Sequence, residues 1–162
     1  ADDPELSMRI DGYTGAQPAR VVLDSRQRLP ATSKLAKAAR DVPTYVVTTE
    51  PPSETLVAAG VRVLQVEAVG DGRPELHAAV DALAAEGLTS LFVEGGGQVA
   101  ASFLRCGLVD RIEWFRAPII LGGEGRPCIG AMALQHLADA PRLRRVSVEA
   151  LGEDLWERYE RA

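Results

Sequence analysis

Leu91-Phe92-Val93-Glu94-Gly95-Gly96-Gly97 runs directly into a helical pattern from Gln98 to Cys106. It reads as a short buried strand, one carboxylate at its end, a glycine turn, and a helix start. Such a turn sets an acid beside a backbone anion site. Free amides at a helix N-terminus attract phosphate, and glycines admit it closely. The carboxylate of Glu94 suits a polar, hydrogen-bonding group lying next to that anion.

Working outward, the segments alternate. Ala19 to Asp24, Pro43 to Thr48 and Val61 to Val66 read as strands. Helical patterns lie between them, Ser33 to Arg40 and the stretch from Ser53, an N-cap, to Gly60. Pro74 opens another helix, with Leu76, Val80 and Leu83 on one face and Gly87 as its stop. Val99 to Cys106 is the next helix, ended by Gly107. Asp110 to Ala117 is a strand, and a glycine-rich loop follows from Gly122 to Gly130. Arg142 to Ala150 and Asp154 to Glu160 form a hairpin around Leu151-Gly152-Glu153. The front is βαβ-like and the end antiparallel. This predicts a three-layer α/β fold with a mixed, mainly parallel sheet, in one domain covering residues 1–162.

Composition removes several classes. With 162 residues, a formal net charge of −5 and 5% aromatics, the chain lacks the footprint of a nucleic-acid binder. No apolar run is long enough for a membrane span. Cys106 and Cys128 are the two cysteines, expected as free thiols in a reducing cytoplasm, with Cys106 buried. His77 and His136 stand apart and no zinc spacing is present, so no metal is expected; His77 reads as a surface residue. No Ser-His-Asp order, Walker loop or H-x-E signature appears.

Gly95-Gly96-Gly97-Gln98-Val99-Ala100 fits G-x-G-x-x-A, but it follows the third crossover rather than the first βα turn. An ordinary Rossmann domain is therefore rejected. Strand ends still decide where ligands go in a parallel sheet. Here they carry Asp24-Ser25-Arg26, Thr48-Thr49-Glu50 and Glu94 with its glycines. Hydroxyls, an arginine and a glycine turn suit a phosphorylated ligand. An arginine beside a hydroxyl is also the usual device for the 2′-phosphate of NADP.

Ala1-Asp2-Asp3-Pro4-Glu5-Leu6-Ser7-Met8-Arg9, Arg20-Val21-Val22-Leu23-Asp24-Ser25-Arg26, Val93-Glu94-Gly95-Gly96, Gly107-Leu108-Val109-Asp110 and Leu151-Gly152-Glu153-Asp154-Leu155-Trp156 together resemble the riboflavin-biosynthesis reductase family. In that family the reductase is the C-terminal half of a bifunctional deaminase/reductase. The resemblance implies a dihydrofolate-reductase-like fold and NADPH-dependent reduction of 5-amino-6-(5-phosphoribosylamino)uracil, with hydride passing to the ribose C1′. It implies that Asp2, Ser25 and the turn Gly96, Gly97, Gln98, Val99, Ala100, Ala101 and Ser102 bind NADPH. It implies that Leu6, Arg9 and Glu94 bind a phosphorylated pyrimidine, and it names no catalytic side chain. A cytoplasmic homodimer is expected. The resemblance also implies that a deaminase domain and the first reductase strands are absent from this stretch, which alone is expected to be weak or inactive. Two alternatives are a related pyrimidine or folate reductase, and a non-catalytic nucleotide-binding or dimerisation piece using Trp114 or Phe115.

Overall fold

A computed structural model describes residues 3–162. The backbone falls into two compact units, residues 1–90 and 91–162, each described by itself.

The first unit is a parallel sheet of β1 (Arg20–Leu23), β2 (Thr44–Thr48) and β3 (Arg62–Gln65), in the order β1-β2-β3. Its helices are α1 (Lys34–Lys37), α2 (Glu54–Ala58) and α3 (Leu76–Ala85). β2 is the middle strand, and all five of its residues are buried. That explains why it reads as a run rather than an alternation: helices and loops cover both faces of a parallel sheet. Val46 packs in one cluster with Ala36, Ala39, Leu56 and Val61, flanked by Val22, Leu29 and Val63.

Helix ends follow local chemistry. The Ser33 hydroxyl accepts from the Ala36 amide and starts α1. The expected run to Arg40 breaks into turns after Lys37. The carbonyls of Ala38 and Val42 there accept hydrogen bonds from Nη2 of Arg20, at 3.1 and 2.9 Å. Burial of this arginine lowers its pKa. Ser53 precedes α2 but does not cap it, because its hydroxyl bonds Thr55 instead. α3 starts two residues after Pro74, with Glu75 as its N-cap. Its buried face is Leu76, Ala79 and Leu83 rather than one including Val80. Gly60 and Gly87 end α2 and α3 at φ of 96° and 88°, where a side chain would be strained.

The second unit holds α4 (Gly97–Arg105) and an antiparallel sheet of β4 (Arg111–Arg116), β5 (Leu143–Leu151) and β6 (Asp154–Arg161), in the order β4-β6-β5. The α/β class, the parallel front and the C-terminal hairpin are as predicted. The two kinds of pairing occur in two three-stranded sheets. Leu91–Glu94, expected as a buried strand, belongs to neither: Phe92 is 80% exposed and Val93 41%. Apolar residue type does not by itself make a strand, which also needs a neighbour to take its backbone bonds. Cys106 is half-buried rather than buried, and both thiols are free.

On the second sheet Glu113 lies opposite Arg158. It accepts from Trp156 Nε1 at 2.7 Å and Arg158 Nε at 2.9 Å. Burial raises its pKa, but these hydrogen bonds and the nearby guanidinium charges outweigh that and hold it below the usual carboxylate range. The Trp156 ring stacks on Phe115 at 6.0 Å between centroids and lies 5.0 Å from the Arg158 guanidinium. The sheet is thus locked by one carboxylate from β4 and the two β6 side chains that donate to it, Trp156 and Arg158.

Two outcomes are expected. Leu56→Ala empties a side chain that is 1% exposed and should destabilise the protein by about 2–5 kcal/mol in urea unfolding. A loss below about 1 kcal/mol would contradict this packing. The second concerns Glu75. Its carboxylate accepts from the Ala78 amide at 2.7 Å, and this bond first, then the His77 amide and ring, lowers its pKa. A lowered native value adds stability above the unfolded value of about 4.3, and loses it as pH falls through the native value. Glu75→Gln should therefore be less stable than wild type at neutral pH, with the gap closing below about pH 4. Urea midpoints across that range check it; a gap independent of pH contradicts it.

Candidate functional site

The parallel order of the first sheet sends three strand ends to one edge. β1 delivers Asp24, Ser25 and Arg26; β2 delivers Thr48 and Thr49; β3 leads into Val66 and Glu67. The turn after β1 is fixed from several sides. Buried Asp24 accepts from the Leu29 amide at 2.7 Å through Oδ2, and its Oδ1 lies 3.8 Å from Arg28 Nε. The Ser25 carbonyl accepts from Thr48 Oγ1 at 3.2 Å and Thr49 Oγ1 at 3.0 Å. The Gln27 amide bridges onward, donating to Pro51 O and accepting from the Ser53 amide, both at 2.7 Å. Gln27 itself sits at φ 49°. This clamp holds the Ser25 backbone and uses none of its hydroxyl. Beyond Thr49 lies an open depression of about 720 Å³, lined by Gln65, Val66, Glu67, Ala78 and Ala82 among others.

The N-terminal segment carries Leu6 and Arg9. Leu6 is half-buried at φ 47°, a conformation that a side chain adopts at a cost. Arg9 is exposed. The segment is tied down rather than frayed. Asp3 accepts from the Lys34 amide at 3.2 Å, Glu5 pairs with Lys34 Nζ at 3.5 Å, and the Gln17 side chain bonds both Met8 N and Met8 O. Asp2 lies outside the described residues.

In the second unit, Gly96 is the N-cap of α4. No side chain caps the helix, its first turn holds no acid, and a Cβ on Gly96 would meet nothing within 4 Å. The next glycine is the opposite case. A Cβ on Gly97 would lie 2.4 Å from the Pro127 carbonyl oxygen, and Gly97 O accepts from the Gly130 amide at 2.7 Å. The loop from 127 to 130 therefore rests on the helix start, and Arg105 Nη1 holds the loop's continuation at Ala131 O, 3.1 Å away. Val99 and Ala100 are half-buried, Gln98 is exposed and Ala101 is 1% exposed. Ser102 accepts from Arg105 Nη2 at 3.0 Å. Glu94 is exposed, with no hydrogen-bond partner among the described residues.

The structure thus gathers Ser25 with Thr48 and Thr49, and Gly96 with Gly97 and Glu94, each set within its own unit. Sequence reasoning missed the 127–130 loop as a wall, because the glycine run there reads only as conformational freedom. It also missed the clamp made by Gln27, Thr48 and Thr49, which needs contacts 23 to 26 positions apart.

The donors present fit a phosphate-bearing cofactor. An uncapped nine-residue helix with open space over its N-cap offers amides to an anion, and acids that would repel it are missing from the first turn.

Comparison with known proteins identifies the family. Residues 1–156 match the family described as RibD C-terminal domain. The chain is 34% identical over 161 residues to the 2,5-diamino-6-ribosylamino-4(3H)-pyrimidinone 5′-phosphate reductase of Methanothermobacter thermautotrophicus, covering 98% of this chain and 74% of that one. It is 31% identical to riboflavin biosynthesis protein RibD of Bacillus amyloliquefaciens, covering 96% of this chain and 42% of the relative. A solved structure of Acinetobacter baumannii RibD superposes with a TM-score of 0.80 at 26% identity, over 98% of this chain and 43% of that one. The chain spans about two fifths of the RibD proteins it matches. It belongs to the RibD C-terminal domain family.

Proposed function

We propose that this chain is an NADPH-dependent reductase acting on the ribosyl group of 5-amino-6-(5-phosphoribosylamino)uracil, giving the ribitylamino product. The observation that carries the reading is the open, uncapped start of α4 at Gly96, backed by the 127–130 loop. NADPH supplies the hydride that reduces the sugar at C1′ after ring opening. The chain supplies binding, orientation and electrostatics. Amides of the turn from Gly96 onward hold phosphate oxygens. The Ser25 hydroxyl, left unused by the clamp beneath it, takes a second polar group of the cofactor. Glu94, an exposed carboxylate with no structural task among the described residues, accepts hydrogen bonds from ribosyl hydroxyls or pyrimidine N–H groups. Arg9 pairs with the substrate phosphate, and Leu6 packs beside it from its left-handed backbone. Asp2, a further cofactor contact on this reading, precedes the described segment. The protein works as a cytoplasmic homodimer in riboflavin biosynthesis, within a single domain formed by residues 1–162.

A second reading has one specific observation behind it. The Methanothermobacter relative, matched over 74% of its own length, is named for the 2,5-diamino pyrimidinone. The two substrates differ in hydrogen-bonding groups on the ring, which a polar site separates by a large factor. NADPH oxidation by the whole protein, measured with each pyrimidine, decides between them. Faster turnover of the aminouracil is expected; faster turnover of the diamino compound overturns that substrate, and no turnover of either overturns the reductase reading.

The paired glycines give a sharper expectation. Gly96→Ala points a methyl into open space, so its stability cost should stay below about 1 kcal/mol, the N-cap preference for glycine over alanine. It should nevertheless weaken NADPH binding about tenfold, roughly 1.4 kcal/mol. Gly97→Ala should instead cost about 1–3 kcal/mol of stability, because its methyl meets backbone. Thermal unfolding beside NADPH titration by fluorescence checks both. Equal NADPH affinity in Gly96→Ala contradicts the placement of phosphate at this turn.

A further inference from the structure

We infer that Gln17 is a positioning residue for Arg9: its side-chain amide closes the loop 8–17 and holds in place the guanidinium that meets the substrate phosphate. The inference rests on the reductase reading above, which gives Arg9 that partner, and assigns the placement of Arg9 to a second side chain. Arg9 has no tether of its own. It is exposed, and its guanidinium has no ion pair or hydrogen bond among the described residues. Ordering a loose arginine on a phosphate costs conformational freedom and weakens the pairing. Its backbone must therefore be fixed by its neighbours.

Met8, the residue before it, is held through both of its backbone groups. Gln17 Oε1 accepts from the Met8 amide at 2.8 Å, and Gln17 Nε2 donates to the Met8 carbonyl at 3.3 Å. One primary amide thus serves the two groups that a neighbouring strand would otherwise take. Gln17 is half-buried and stands just before β1. The first residue of that strand, Arg20, is buried, and its amide donates to Pro43 O at 2.9 Å. The clamp is grounded in the sheet.

The loop it closes is stiff. The Tyr13 amide donates to Ile10 O at 3.0 Å, closing a turn through Gly12 at φ 78°. The Tyr13 hydroxyl donates to Ala16 O at 2.9 Å and lies where a Cβ on Gly15 would be 2.6 Å away. Upstream, Asp3 and Glu5 tie the chain to Lys34, the first residue of α1. Leu6 lies between these two anchors at φ 47°, a conformation that persists only where the surroundings over-determine it. Releasing Met8 frees Leu6 to relax and Arg9 to swing away.

Trypsin cuts after arginine, so cleavage of the Arg9–Ile10 bond in the whole protein reports the clamp without any turnover. Gln17→Ala should speed that cleavage about tenfold, the net worth of one to two hydrogen bonds, and leave cleavage after Arg62 in β3 unchanged. Gln17→Glu should do the same at neutral pH, because a carboxylate accepts from the Met8 amide but has nothing to donate to its carbonyl. In NADPH oxidation, Gln17→Ala should raise KM for the phosphorylated pyrimidine about tenfold with kcat within about twofold. Its kcat/KM for the dephosphorylated pyrimidine should stay within about twofold, and in an Arg9→Ala background the substitution should change nothing further. Unchanged cleavage after Arg9, a rise shared with Arg62, equal losses on both pyrimidines, or an undiminished effect without Arg9 overturns the inference. Faster cleavage after Arg9 in a protein that reduces neither pyrimidine would refute the reductase reading and still support Gln17 as the residue that holds Arg9.

Discussion

Everything proposed for the first unit depends on one constraint, the burial of β2 on both faces. Thr44, Val46, Val47 and Thr48 are each 0% exposed and Tyr45 is 3%. A strand enclosed in this way needs partners on both edges, and β1 and β3 supply them in parallel. Parallel pairing then fixes direction: all three strands finish at one edge. Chemistry-bearing residues at that edge owe their grouping to the sheet beneath them. The hydroxyls of Thr48 and Thr49 reach the Ser25 carbonyl only because β2 runs beside β1 in this register.

The second unit uses a different constraint, the absence of a side chain. Gly97 lets a loop carbonyl and amide come against the first turn of α4. Gly96, one residue earlier, leaves the space above the helix start open. One glycine is needed for protein packing, and its neighbour leaves the space that the proposed ligand would use. That division separates a packed glycine from an open one within a single turn, which the sequence Gly95-Gly96-Gly97 cannot do.

Much of this is legible in the sequence. The strand run Tyr45-Val46-Val47, the stops at Gly60, Gly87 and Gly107, and the hairpin at Gly152 are local decisions of the chain, and local patterns show them. The segment Leu91–Glu94 departs from its apolar pattern because it has no ladder partner and leaves Phe92 and Val93 exposed. Arg20 reads as the polar start of a strand, yet it is buried and bonds carbonyls 18 and 22 residues away. Asp3 looks like a terminal acid and instead meets the start of α1. Of the site, the residue types at the strand ends were readable. The clamp under Ser25 and the wall over Gly97 were not, since each joins positions with no periodic relation.

The central claim is that the start of α4 is a phosphate site for the cofactor. Backbone amide resonances recorded during NADPH titration test it most directly. The account predicts that Gly96, Gly97 and Gln98 shift most within residues 91–162, with the lower-field movement expected of amides that gain an anionic acceptor. Saturable NADPH binding that leaves those three amides unmoved would contradict it.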